Sequence, residues 1–155
     1  TALGTQHILL GLDHLLFVLA LLVLIRSVRA LVATVTAFTV AHSITLALSA
    51  IGLASAPQAF VEVVVALSIV FVAVEIVKGE RGEMERAILP PSVVAFSFGL
   101  LHGLGFGGAL KEIGLPAGEI PLALLAFNVG VELGQLAIVA LALATVFSLR
   151  LLLDA

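Results

Sequence analysis

The sequence predicts an all-α integral membrane protein: a compact bundle of five transmembrane helices forming a single transmembrane domain over residues 1–155, N-out and C-in. Three observations carry that prediction. First, 62% of the residues are hydrophobic and 11% charged, and the mean hydropathy is +1.32, far outside the range of soluble chains. Second, apolar segments long enough to cross a hydrocarbon core run over about 5–25, 30–53, 59–77, 92–111 and 121–149. Third, with the N-terminus outside, Arg26, Arg29, Lys78, Arg81, Arg86 and Arg150 fall on the cytoplasmic side and only Lys111 on the outer side. That bias sets the orientation.

The breaks between the segments carry turn and charge signals. They are Arg26 to Arg29, Ala54 to Gln58 with Pro57, Lys78 to Pro91, and Gly114 to Pro121. Glu80, Glu83 and Glu85 mix with the bases of the third break, which reads as a solvated cytoplasmic loop. The chain begins at Thr1, and no basic stretch with a cleavage site precedes the first span, so we read a processed start. The net charge of −3 gives no basic surface, and nucleic acid is not an expected partner. The expected partners are a metal ion and the lipid bilayer. Cysteine, Trp and Tyr are absent. This excludes disulfides, thiolate metal sites and iron–sulfur ligation, and leaves nine Phe for aromatic packing.

The first span contains His7-Ile-Leu-Leu-Gly-Leu-Asp-His14. Read as one helix, this spacing puts His7 and His14 on one face, about 10 Å apart along the axis, with Asp13 on the flank. A carboxylate in hydrocarbon needs a partner, water or a cation. The other spans supply polar groups at similar depth. Counted from the span ends, His42 lies twelve residues up from the inner end of span two, His102 ten up from the inner end of span four, and Glu132 eleven down from the outer start of span five. Asp13 and His14 lie about 12 Å below the outer surface, so the whole set reaches the central third. Thr39, His42, Thr45 and Ser49 form one stripe, and Asn128, Glu132 and Gln135 another. Such neighbours orient ligand imidazoles and carboxylates.

His7 and Glu62 sit near outer ends and mark an entrance; Ser68 and Glu75 mark the inner half of span three. A Glu75–Lys78 salt bridge is an equally simple reading of Glu75. Gly99, Gly103 and Gly107, and Gly130 and Gly134, recur every four residues. They let helices approach closely and admit a homodimer.

His7, Asp13, His14, His42, His102 and Glu132 are therefore the candidate metal ligands, with Glu62, Ser68, Glu75, Asn128 and Gln135 in supporting or pathway roles. Neutral imidazoles with carboxylates suit divalent Ni, Co, Zn, Fe or Mn. Three function classes use such a set: a divalent-metal permease; a membrane-embedded zinc hydrolase in which Asp13 or Glu132 activates water and Ser43 assists; and a bis-histidine haem site between His42 and His102. The hydrolase lacks a His-x3-His or His-Glu-x2-His pair to hold zinc from one helix.

The motifs around these residues run Phe38-Thr-Val-Ala-His42-Ser, Phe98-Gly-Leu-Leu-His102-Gly and Phe127-Asn-Val-Gly-Val-Glu132-Leu-Gly-Gln135, besides the first-span motif. In this order they resemble the HupE/UreJ family of bacterial membrane proteins over nearly the whole chain. The resemblance implies a multi-pass cytoplasmic-membrane accessory protein tied to nickel or cobalt uptake for metalloenzymes such as hydrogenase and urease. It also implies that His7, Asp13 and His14 carry the family's metal-binding signature.

Overall fold

The computed structural model describes residues 1–81, 90–112 and 119–154, with side chains as far as Gly105 in the second of these stretches. Every regular element in them is a helix: α1 Ala2–Leu10, α2 Leu12–Leu24, α3 Val28–Ala50, α4 Gln58–Glu80, α5 Pro91–Glu112 and α6 Ile120–Leu153. Expectations for Arg86, Glu83, Glu85, Gly107, the Lys111 side chain and Gly114 fall outside the described residues.

Local chemistry sets the boundaries. Ser27 caps α3 by accepting from the Ala30 N–H at 3.4 Å. The far end of α3 closes in a Schellman turn, in which Leu53 N donates to Leu48 O (2.9 Å) and Gly52 N to Ser49 O (3.1 Å). Gly52 takes φ 80°, a value that favours glycine. Pro57 precedes α4, Pro91 opens α5, and α6 carries a proline in its first turn, positions where the missing N–H has no partner to lose.

The first drawn span is not one helix. Its two halves, α1 and α2, meet at 76° across Gly11. Spans two, three and five correspond to α3, α4 and α6, the three helices long and apolar enough to cross a membrane; the bent α1–α2 pair makes up to four. The fourth drawn span gives a shorter apolar stretch, Pro91–Gly105. At 34 residues α6 runs beyond its drawn end at 149; its length of about 51 Å exceeds the hydrocarbon core.

Neighbouring helices alternate in direction about α3. His14 and Phe17 of α2 meet His42 and Phe38 respectively, an antiparallel pairing. Gly99 and Gly103 of α5 lie against the Phe38 and His42 carbonyls, a parallel one. Ser68 and Phe71 of α4 meet His102 and Phe98, again antiparallel. Leu124, Phe127 and Val131 of α6 share a cluster with Leu46, whereas Val139 packs in the cluster of Leu31 and Val35, so α6 opposes α3.

Glycine makes these approaches close. A Cβ at Gly103 would overlap Thr45 Oγ1 and the His42 carbonyl, one at Gly4 would overlap the Phe127 carbonyl, and one at Gly130 the Thr1 carbonyl. Polarity is distributed inside out. His14, His42, His102, Ser68, Asn128 and Gln135 are buried, whereas Val40, Ile44, Val63, Phe71, Val129 and Leu133 face outward. Such a surface suits lipid contact.

Candidate metal centre

The centre begins at the break between α1 and α2. Gly11 has φ −78° and ψ 100°, values open to other residues, so its requirement is space. A Cβ there would stand 2.7 Å from His7 O, 2.9 Å from His14 Nδ1 and 3.0 Å from Asp13 Oδ1. The chain stays hydrogen-bonded through the bend, with Gly11 N donating to His7 O and Leu15 N to Gly11 O, both at 3.0 Å. The continuous-helix expectation, with the histidines about 10 Å apart along one axis, is corrected accordingly. The bend folds the His7 ring onto the His14 ring, with centroids 4.6 Å apart in an edge-to-face contact. Gly11→Ala should push these groups apart and weaken metal affinity about 10- to 100-fold, a loss of the size that follows disturbed ligand support. Equilibrium dialysis with Ni²⁺ measures it.

His42 completes the group from α3. Its ring centroid is 6.3 Å from that of His7 and 6.5 Å from that of His14, and it stacks on Phe38. One nitrogen from each of His7, His14 and His42 lies within 4.8 Å of the others. Asp13, in the first turn of α2, accepts from His14 Nδ1 at 3.2 Å. A carboxylate behind an imidazole holds its tautomer and raises its basicity as a ligand. The geometry thus gives Asp13 the flanking role, and the helix N-terminus favours its charge.

His102 reaches the same region from α5. Its ring centroid lies 5.5 Å from that of His14 and 4.9 Å from that of Phe38, and its Nε2 is 3.2 Å from Ser68 Oγ. His7, Asp13, His14, Glu62 and His102 line one cavity of about 390 Å³. Glu62 accepts from Gln58 Nε2 at 3.2 Å near the start of α4.

Several buried imidazole nitrogens have no hydrogen-bond partner among the described residues: His14 Nε2, both nitrogens of His42, and His102 Nδ1. Buried polar atoms without partners are uncommon and costly. A bound cation would satisfy the lone pairs among them, and neutral imidazoles suit a borderline divalent metal. The donor set therefore fits the ion that its residue types predict.

The remaining predicted residues lie elsewhere. Glu132 Oε1 accepts from Thr36 Oγ1 at 2.6 Å, and Gln135 Oε1 accepts from Thr39 Oγ1 at 2.8 Å, both between α3 and α6. Neither joins the three-histidine group. Buried Glu132 Oε2 and Asn128 Oδ1 have no partner, while Asn128 Nδ2 donates to Leu124 O at 2.9 Å. Glu75 pairs with Lys78 at 3.0 Å. Ser43 donates to the Thr39 carbonyl at 2.6 Å. Sequence reasoning missed Gly11 as the bend and Phe38 as the ring against which His42 and His102 both rest. A glycine midway between two motif histidines was the available signal for the first.

Comparison with known proteins follows this geometry. A family model described as HupE / UreJ protein matches residues 1–153, and the chain belongs to that family. No curated protein and no solved structure matches the chain.

Proposed function

We propose that this HupE/UreJ chain is a carrier that takes a divalent transition metal of the nickel or cobalt type across the bacterial cytoplasmic membrane. The metal is cargo. The observation that supports this most is the convergence of His7, His14 and His42, from three helices, within 4.8 Å. In this reading the ion passes Glu62 at the cavity mouth, is held by His7, His14 and His42 with His102 adjacent, and leaves past Ser68 and Glu75. Glu132, Asn128 and Gln135 support the α3–α6 contact that positions His42.

Five crossings, with α1–α2 and α5 each counted as one, bring Arg26, Arg29, Lys78, Arg81 and Arg150 to one side, supporting an N-out, C-in orientation. The glycine faces that admit a homodimer are used within the chain: Gly103 packs on α3, and Gly4 and Gly130 close the α1–α6 contact. Transport is favoured over zinc hydrolysis by where the water-activating candidates lie. Glu132 is bonded to Thr36 and stands outside the three-histidine group, Asp13 is bonded to His14, and the Ser43 hydroxyl is bonded to the Thr39 carbonyl.

Elemental analysis of detergent-purified protein, followed by flux into proteoliposomes, tests the reading. Stoichiometric Ni, Co or Zn with inward flux is the expected result. Bound metal without flux overturns the carrier role, and absence of metal overturns the site.

Protons and metal compete for the same imidazole lone pairs, so affinity should fall once the pH is low enough to protonate those nitrogens. Titration calorimetry from pH 8 downward measures it, and an affinity that never falls while the protein stays folded would count against histidine ligation.

A further inference from the structure

We propose that Ser68 is a positioning residue that holds His102 as its Nε2–H tautomer, which leaves Nδ1 of His102 as a free donor beside the three-histidine group while its neighbour His14 offers Nε2. The inference rests on the metal-carrier reading for its use, but not for its geometry. Ser68 Oγ donates to the Val65 carbonyl at 2.6 Å. A hydroxyl has one proton. With that proton committed to Val65, the 3.2 Å contact between Ser68 Oγ and His102 Nε2 requires the ring nitrogen to donate. A neutral imidazole carries one N–H, so Nδ1 of His102 keeps its lone pair, and this is the buried atom without a partner.

Around the ring, Phe38 and Phe17 supply aromatic contacts at 4.9 and 5.8 Å, which restrain its orientation without offering an acceptor. Ser68 itself is fully buried, so water does not replace its hydrogen bond. His14 is arranged the opposite way. Asp13 takes Nδ1–H, and the unpartnered atom is Nε2. Two rings 5.5 Å apart thus expose different nitrogens, one backed by a carboxylate and one by a hydroxyl. A hydroxyl raises imidazole basicity less than a carboxylate does, which makes His102 the weaker donor of the two.

Nitrogen-15 NMR of the full chain labelled at histidine, metal-free in detergent at about pH 8 where ordinary histidines are neutral, reads each tautomer directly. His102→Gln and His14→Gln assign the signals. The expected result is an Nε2–H ring for His102 and an Nδ1–H ring for His14. Ser68→Ala should convert His102 to a tautomer mixture and lower Ni²⁺ affinity about 10- to 100-fold, while Ser68→Thr, which keeps the hydroxyl, retains both. An Nδ1–H ring for His102 in the unsubstituted protein overturns the proposal, as does a tautomer unmoved by Ser68→Ala. If the protein binds no metal, the carrier reading fails while the tautomer assignment is still decided by the spectrum.

Discussion

His42→Phe should abolish stoichiometric metal binding, with affinity reduced at least about 100-fold, more than disturbed ligand support costs, while leaving the metal-free protein as stable as before. The two halves of this expectation have separate causes. His42 is one of three imidazoles whose nitrogens meet within 4.8 Å, and two protein ligands hold a divalent ion far less tightly than three. Yet neither of its ring nitrogens makes a hydrogen bond of ordinary geometry among the described residues, and the Asn128 side chain is the one polar group interacting with the ring that the exchange would lose. Phenylalanine is larger than histidine by more than a methylene but can keep the stack on Phe38, so overpacking offsets part of what losing the buried polar ring gains. Removing an unsatisfied buried polar group can even stabilise the chain. Thermal unfolding with and without Ni²⁺ separates the effects. At a metal concentration 100 times Kd, binding stabilises the folded state by about 2.7 kcal/mol. The unsubstituted protein should show that shift and His42→Phe should not. A variant that is still stabilised by Ni²⁺ would remove His42 from the site.

Gly103→Val should destabilise the bundle by about 3 kcal/mol or more, at the upper end of overpacking effects, and abolish metal binding indirectly. Its side chain would be built into Thr45 Oγ1 and the His42 carbonyl. Thr45 cannot simply turn away, because its hydroxyl donates back to the carbonyls of its own helix, at 3.3 Å to both Ala41 and His42. The backbones of α3 and α5 must therefore separate, moving His102, the next residue, away from the ring of Phe38. Gly105→Ala is the matched control. Its Cβ would meet Val61 Cγ1 at 2.8 Å, a side-chain atom and not a backbone carbonyl, so the change should cost less than Gly103→Val. Scanning fluorimetry and detergent-phase size exclusion measure both variants, and equal stability of the two would refute this account of the α3–α5 contact.

Much of the molecule is legible in the residues before any coordinate is consulted. Hydropathy over 20-residue windows identifies α3, α4 and α6 because in lipid each backbone must satisfy its own hydrogen bonds, and an apolar run of that length has one practical solution. Depth counting likewise puts His14, His42 and His102 at comparable levels, since a helix rises by a constant amount per residue. The four motifs, in order, are specific enough to point to the HupE/UreJ family, and the family match spans residues 1–153.

The first span shows where such reading stops. A seven-residue histidine spacing looks like one face of a continuous helix, and nothing local to Gly11 demands a break, its φ being ordinary. The break goes with long-range packing: Gly4 closes on the Phe127 carbonyl and Gly130 on the Thr1 carbonyl, which docks α1 against α6 while α2 leaves it at 76°. Glu132 shows the same limit. Depth aligns it with the histidines, but its position around the α6 axis carries it to Thr36.

By itself, then, the amino-acid sequence determines that this chain is helical, membrane-compatible and supplied with histidines and carboxylates at matched levels, because hydropathy and rise per residue are additive along a chain. Only the tertiary structure decides which of those groups meet. Convergence depends on the rotation of each helix about its axis and on the angles at which helices cross, and contacts between glycines and carbonyls distant in the sequence help to set both.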